Sequence, residues 1–286
     1  MEGDLVKSFD LWYLNISLFL SEGAMLFHKM HGLGNDFIML NSSEELSSEY
    51  VRSVCNRHTG IGADQLITYT DDVESVVRFY NQDGTAAEQC GNGIRCLAWL
   101  LMNQTNTKSI RLKSPLGQHE AWLLEDGRVR IEMGRPEFTW DDQPISQQLD
   151  LLDLFTDVAH KPDMMAVSMG NPHAVIFTQH PTIEMAETYG PHVEHHRLFP
   201  NRTNVHFVHV ESQNHITMIP WERGTGITLA CGSGACAVHA AALKKGLIDP
   251  ICDITMPGGT VTLETRDDGA IVLTGSATYV FEGKIA

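Results

Sequence analysis

No lysine/arginine cluster, no Cys-x-x-Cys pair and no His-Glu-x-x-His spacing occurs in this chain, and its longest apolar stretch is too short to span a bilayer. Each absence removes a class of function. Lys and Arg number 20 against 36 Asp and Glu, a formal net charge of −16, so a nucleic-acid surface, which needs a basic stripe, is not expected. Zinc-ribbon, thioredoxin-type and zinc-protease readings lose their main support. Six cysteines (Cys55, Cys90, Cys96, Cys231, Cys236 and Cys252) in 286 residues do not make a disulfide scaffold. The fourteen histidines have no metal-ligand spacing and read as surface and loop residues. No metal is expected. A hydrophobic fraction of 43% and a charged fraction of 20% are those of an ordinary globular protein, long enough for two modest domains or one large one.

The N-terminus stands apart. Leu11 to Leu20 has the length of a signal-peptide core, but Glu2, Asp4 and Asp10 precede it against only Lys7, the wrong sign for secretion. No Ala-x-Ala site follows, and a well-patterned strand begins at Met25. Residues 1–24 therefore read as an extension, and the protein as cytoplasmic with no membrane partner.

What the chain does contain is a pair of near copies. Gln89-Cys90-Gly91-Asn92-Gly93-Ile94-Arg95-Cys96 and Ala230-Cys231-Gly232-Ser233-Gly234-Ala235-Cys236 each place a cysteine directly before a Gly-x-Gly turn. Each turn runs into an apolar segment of helical character, Leu97 to Met102 and Ala237 to Leu243. A thiol at that junction lies beside the unpaired N–H groups of a first helical turn, at the positive end of the helix dipole. Such a setting is expected to lower a thiol pKa to ~7 or below.

Other features recur at matched distances. Asn81 lies nine residues before Cys90, and Glu222 nine before Cys231. Gln65 and Asn204, the turns Gly34-Asn35 and Gly170-Asn171, and the hairpin signals Asp126-Gly127 and Asp268-Gly269 follow in the same order around their cysteines. This is an internal duplication, too long in period for a solenoid. Each half reads as many short strands and a central helix apolar on nearly every side, which must be buried. The expected fold is α/β with α+β-like character: two pseudo-symmetric domains, each a mixed, partly closed sheet wrapped around its helix. The acidic, proline-punctuated stretch from Pro136 to Met165 reads as the junction, with an amphipathic helix over Gln148 to Ala159.

Two like domains face to face would bring both helix starts to one cleft. Moving a proton between the faces of an sp³ carbon needs a base on one side and an acid on the other, both able to swap roles; a thiolate/thiol pair meets this. The N–H groups of Gly91, Asn92, Gly232 and Ser233 would hold the charge that develops on an amino acid carboxylate, without pyridoxal. For a single cysteine, packing would be the better account; the matched pair favours chemistry. Neither Cys90 nor Cys231 is expected to anchor a core, whereas Cys96 and Cys236 read as helix-body packing residues and Cys55 and Cys252 as inert. Asn35, Gln65, Asn81, Asn171 and Asn204 sit in turns or at strand ends, in equivalent places of both halves, and suit a zwitterionic ligand. Glu222 and Arg223 add a carboxylate and a guanidinium able to clasp a carboxylate. His173 is an auxiliary polar group or a loop residue.

Lys29-Met30-His31-Gly32-Leu33-Gly34-Asn35-Asp36-Phe37, Gly62-Ala63-Asp64-Gln65, Asn81 with Cys90-Gly91-Asn92-Gly93, Gly170-Asn171-Pro172-His173, Asn204, and Glu222-Arg223-Gly224 leading to the second cysteine motif together resemble the diaminopimelate epimerase family from Met25 to the C-terminus. The resemblance implies pyridoxal-independent interconversion of LL- and meso-2,6-diaminoheptanedioate in lysine and cell-wall precursor synthesis, with no cofactor and a homodimeric state. It implies Cys90 and Cys231 as catalytic bases and Gly91, Asn92, Gly232 and Ser233 around the reacting carboxylate. Asn35, Gln65, Asn81, Asn171, Asn204, Glu222 and Arg223 would line the rest of the substrate site. The domains would be 25–137 with the returning segment 275–286, and 138–274. A proline- or hydroxyproline-racemase-type enzyme is the nearest rival, disfavoured by the polar set Asn81, Asn204 and Arg223. A thiol redox protein and a non-enzymatic amino acid binding protein are the alternatives of other classes.

Overall fold

The computed structural model describes residues 24–70, 75–87, 90–115, 117–138 and 163–285. The extension up to residue 23, Gln89 and the helix expected over Gln148 to Ala159 lie outside the described residues.

Helices of 8 to 15 residues alternate with short strands, and the order is the same in both halves. In the first, β1 (Met25–Gly32) pairs antiparallel with β2 (Asn35–Asn41), and α1 (Ser48–Cys55) crosses over to β3 (Gln65–Tyr69), parallel to β2. β4 (Ser75–Asn81) returns antiparallel to β3 and carries the two-residue β5 (Ala86–Ala87). α2 (Gly91–Thr105) then crosses to β6 (Ser109–Ser114), parallel to β4, and β7 (Gly117–Leu123) and β8 (Val129–Gly134) continue antiparallel. Each parallel pair is bridged by a helix, as a parallel connection requires.

The second half repeats this. β9 (Asp163–Ser168) and β10 (Pro172–Phe177) are antiparallel, and α3 (Ile183–Glu194) crosses to β11 (Asn204–Ser212), parallel to β10. β12 (His215–Glu222) returns and carries the short β13 (Gly226–Ile227). α4 (Gly232–Lys244) crosses to β14 (Ile251–Met256), followed by β15 (Gly259–Thr265) and β16 (Ile271–Gly275). Two seams tie the halves: β16 pairs with β8, and the last strand, β17 (Thr278–Ile285), returns to pair with β1.

The two apolar helices are buried as their composition demands. In α2 the run Gly91 to Ala98 is buried, and in α4 the run Gly232 to Ala242. Each packs against strands of its own half, and the two touch each other. α3 is the element that sequence patterning does not reveal, because Gly190 and Pro191 interrupt it. Its start is nonetheless marked by Thr182, whose hydroxyl caps the Met185 N–H at 3.0 Å. Gly190 is required by packing: a Cβ there would come within 2.6 Å of the Trp221 ring. α3 is longer than α1, 12 residues against 8, which accounts for most of the longer interval between Asn171 and Cys231 than between Asn35 and Cys90.

Candidate active site

Cys90 and Cys231 occupy the N-cap positions of α2 and α4, both in extended backbone, so each thiol stands at the mouth of a helix. The two helix starts abut. A Cβ placed on Gly232 would lie 3.4 Å from Gly91 Cα and 3.5 Å from the Asn92 nitrogen. Asn92 crosses the junction and donates to the carbonyl of Ala230, the residue before the second cysteine, at 3.2 Å. Residues 138 positions apart in the chain are thereby fastened at the dyad.

Around Cys90, the Gly93 N–H reaches Sγ at 3.4 Å and Asn35 Oδ1 stands 3.7 Å from it. Asn35 is oriented by Asp64, whose carboxylate accepts from Nδ2 at 2.9 Å. Behind that pair, Arg57 bridges Asp36 and Asp64, and the buried Lys29 ammonium donates to Asp36 at 2.6 Å and to the Gly62 carbonyl. Gln65 and Asn81 face each other across β3 and β4, Nε2 to Oδ1 at 2.9 Å. Gln65 Oε1 and Asn92 Oδ1 are buried with no hydrogen-bond partner among the described residues.

Around Cys231, Ser233 Oγ is 3.8 Å from Sγ and receives Asn171 Nδ2 at 3.4 Å. Asn204 holds the following turn rather than projecting free: its Oδ1 accepts the Arg223 N–H at 3.0 Å and its Nδ2 donates to the Pro172 carbonyl at 3.0 Å. Glu222 accepts from Thr228 at 2.5 Å, and its charge acts on both cysteines.

Three expectations need correction. First, the thiols are not acidified. Burial pushes Cys90 up to about 12, and it drives Cys231 well above the ordinary thiol range, with the Glu222 charge adding to the rise. The N–H groups of Gly93 and Gly234 act in the lowering direction but are outweighed. Second, Cys231 is only 5% exposed and belongs to the main core, with Cys90 packed against it. Third, the histidines are not all peripheral: His28, His119, His173, His206 and His239 are buried. His173 is not a loop residue; it lies in β10, 0% exposed, stacked on His206 with ring centroids 5.1 Å apart. Cys55, Cys96, Cys236 and Cys252 are buried and free. Among the described residues no cluster of three or more His, Cys, Asp or Glu side chains is placed to hold a metal, and no helix is long and apolar enough to cross a membrane.

Sequence reasoning missed Glu194. Its carboxylate is 2% exposed, accepts from Trp221 Nε1 at 2.7 Å and the Gly224 N–H at 2.9 Å, and pairs with Arg202 at 3.5 Å. It thus clamps the turn that carries Glu222 and Arg223. The available signal was a glutamate in the last turn of a helix, where the dipole disfavours it. Glu194→Ala is expected to raise KM roughly tenfold and to destabilise the fold by about 1–3 kcal/mol, the range for orphaning buried hydrogen-bond partners. Steady-state kinetics with urea unfolding would check both, and an unchanged KM would show that the turn holds itself.

The family model described as diaminopimelate epimerase matches residues 27–139 and 165–280. The chain is 39% identical over 267 residues to the diaminopimelate epimerase of Acidiphilium cryptum, covering 92% of this chain and 96% of that one. It is 39% identical over 271 residues to the enzyme of the same name from Pseudomonas syringae pv. syringae, covering 91% and 98%. Among solved structures, a hydroxyproline epimerase from Agrobacterium vitis with bound trans-4-hydroxy-L-proline superposes with a TM-score of 0.64 at 13% identity, covering 93% of each chain. At that identity the likeness is one of fold.

Proposed function

The chain belongs to the diaminopimelate epimerase family, and on that premise we propose that Cys90 and Cys231 are the two bases of a pyridoxal-independent epimerisation of LL-2,6-diaminoheptanedioate to the meso form. The observation that carries this reading is the head-to-head meeting of two cysteine-capped helix starts, with Gly91 and Gly232 in near contact. A planar carbanion lying across that junction has one thiol on each side. One cysteine, as thiolate, takes the α-proton; the other, as thiol, delivers its proton to the opposite face. The enzyme ends with the protonation states exchanged, ready for the reverse reaction.

The charge that builds on the carboxylate is met by the N–H groups of Gly91, Asn92, Gly232 and Ser233, which no i−4 carbonyl satisfies. Close approach is possible because Gly91 and Gly232 have no Cβ. The second amino acid centre of the substrate is held by Gln65, Asn81, Asn171, Asn204, Glu222 and Arg223, with Asn35 closing the Cys90 side. The buried acceptors Gln65 Oε1 and Asn92 Oδ1, together with the Glu222 carboxylate, suit ammonium groups. The substrate's two ammonium groups also supply positive charge that favours a thiolate which burial otherwise opposes.

The same reading takes 25–137 with 275–286, and 138–274, as the two domains, supported by the return of β17 to β1. It makes the protein a cytoplasmic homodimer supplying lysine and peptidoglycan precursors. The test is proton NMR of diaminopimelate in deuterated water with reduced enzyme and no added cofactor. The α-proton signal is expected to disappear while LL and meso forms equilibrate. A folded, reduced sample that leaves the signal intact would end this reading.

A further inference from the structure

The two halves differ at one buried spot. Phe37 lies opposite Gln65 in the β2–β3 pairing, and His173 lies opposite Asn204 in the β10–β11 pairing, so Phe37 and His173 are equivalent. Two residues further along those strands stand Ile67 and His206. Their equivalence is confirmed at the helix starts. A Cβ on Gly93 would strike Ile67 Cδ1 at 2.5 Å, and a Cβ on Gly234 would strike His206 Cε1 at 2.5 Å. The first helix start thus packs on Ile67 and the second on His206, and where the first half has Phe37 and Ile67 the second has two fully buried histidines.

These histidines are joined to Cys231. His206 Nε2 and His173 Nδ1 are 2.9 Å apart, and His173 Nε2 is 2.9 Å from Asn171 Oδ1. Asn171 Nδ2 then reaches Ser233 Oγ, which faces Cys231 Sγ. The polarity of the series follows from its chemistry. Asn171 Oδ1 can only accept, so His173 carries its proton on Nε2 and accepts on Nδ1. His206 must then donate from Nε2, leaving a lone pair at Nδ1, the atom without a partner among the described residues. The opposite polarity would strand a buried N–H there, the costlier defect. Both imidazoles stay neutral, because burial pushes His206 down to about 3 and His173 well below the usual range.

We propose that His206 is a positioning residue for the second base: it fixes the tautomer of His173, and through Asn171 it leaves the Ser233 hydroxyl hydrogen pointed at Cys231, so that this thiolate has a side-chain donor. The inference rests on the two-thiol reading above. The other charged groups facing this series are Glu222, beside Cys231, and Arg223, beside His173; neither is altered in the test.

The test compares kcat/KM against pH for wild type, His206→Ile, which copies the first half, and His206→Gln, whose amide can still donate where Nε2 does. Removing the donor raises the Cys231 thiol pKa. The two macroscopic values of a coupled pair sum to a constant plus that shift, whichever thiol is the more acidic. The optimum is therefore expected to move up by roughly half a pH unit for each unit of thiol shift, in both reaction directions. His206→Gln should return it to the wild-type position. A lower rate with an unmoved optimum in His206→Ile would reduce His206 to packing and overturn the proposal. Should that variant not fold, ¹⁵N NMR of the histidine rings in the wild-type protein decides. Protons on Nε2 of both His173 and His206, unchanged from pH 5 to 9, are expected, and a proton on Nδ1 of either ring overturns it. Wild-type enzyme inactive on diaminopimelate would instead reject the functional reading, while the ring tautomers would still report on the series.

Discussion

Cys90→Ala and Cys231→Ala are each expected to abolish epimerisation in both directions, with a loss of at least ~10²–10⁴, the contribution of a positioned acid or base. The loss is symmetric because every turnover needs one thiolate and one thiol, and removing either leaves a reaction that can start or finish but not both. For the same reason the double variant should be no worse than either single one, since residues that act as a unit are not additive. A variant that keeps one direction, or a double variant clearly slower than both singles, would break the two-base account. Stability is the control. Cys231 lies in the core, so its truncation is expected to cost about 1 kcal/mol, the scale of losing one methyl-sized group; the half-buried Cys90 should cost less. The pH response carries a sign as well. Burial raises both thiols, so kcat/KM, which reports the free enzyme, should climb as pH rises through neutrality and fall only when the second thiol ionises.

Asp36→Asn is expected to destabilise the protein by about 3–5 kcal/mol, the cost of leaving a buried charge without its partner. Lys29 is 8% exposed, and its ammonium has the Asp36 carboxylate and one carbonyl as hydrogen-bond acceptors. Burial alone would raise the Asp36 pKa, but hydrogen bonds from Arg57 and Lys29, with the Lys29 charge, overcome it and hold the carboxyl well below the usual carboxylate range. The stabilisation from this depressed group is complete above its unfolded value of ~3.9 and is lost as pH falls toward the folded one. Urea unfolding from pH 5 to pH 2 should show wild type losing stability over that interval and Asp36→Asn losing less, starting lower. A variant within about 1 kcal/mol of wild type at pH 7 would mean that Arg57 and Asp64 hold the cluster without Asp36. Activity should fall too, because Asp64, which Arg57 ties to Asp36, also orients Asn35 beside Cys90.

By itself the sequence determined the features that are local or periodic. A cysteine before Gly-x-Gly and an apolar run specifies a thiol at a buried helix start, since capping and burial of a helix are written within one or two turns. The recurrence of Asn81 and Glu222 nine residues before their cysteines revealed the duplication, and with it the repeated strand order. The places of Asn35, Gln65, Asn171 and Asn204 were legible for the same reason: Asn35, Gln65 and Asn204 open strands, and Asn171 directly precedes one, at positions the repeat preserves. α3 was not, because Gly190 and Pro191 break the helical pattern, and the reason for Gly190, the Trp221 ring packed against it, lies elsewhere in the chain. What the tertiary structure alone decided are properties summed over neighbours far apart in the chain. The thiols are raised rather than lowered because desolvation by the surrounding fold outweighs the helix start, which contributes only its own N–H groups. Glu194 meets Trp221 across 27 residues, and His173 meets His206 across 33. No local pattern encodes such pairs, because the strand pairings and packed helices that bring them within hydrogen-bond reach exist only in the closed fold.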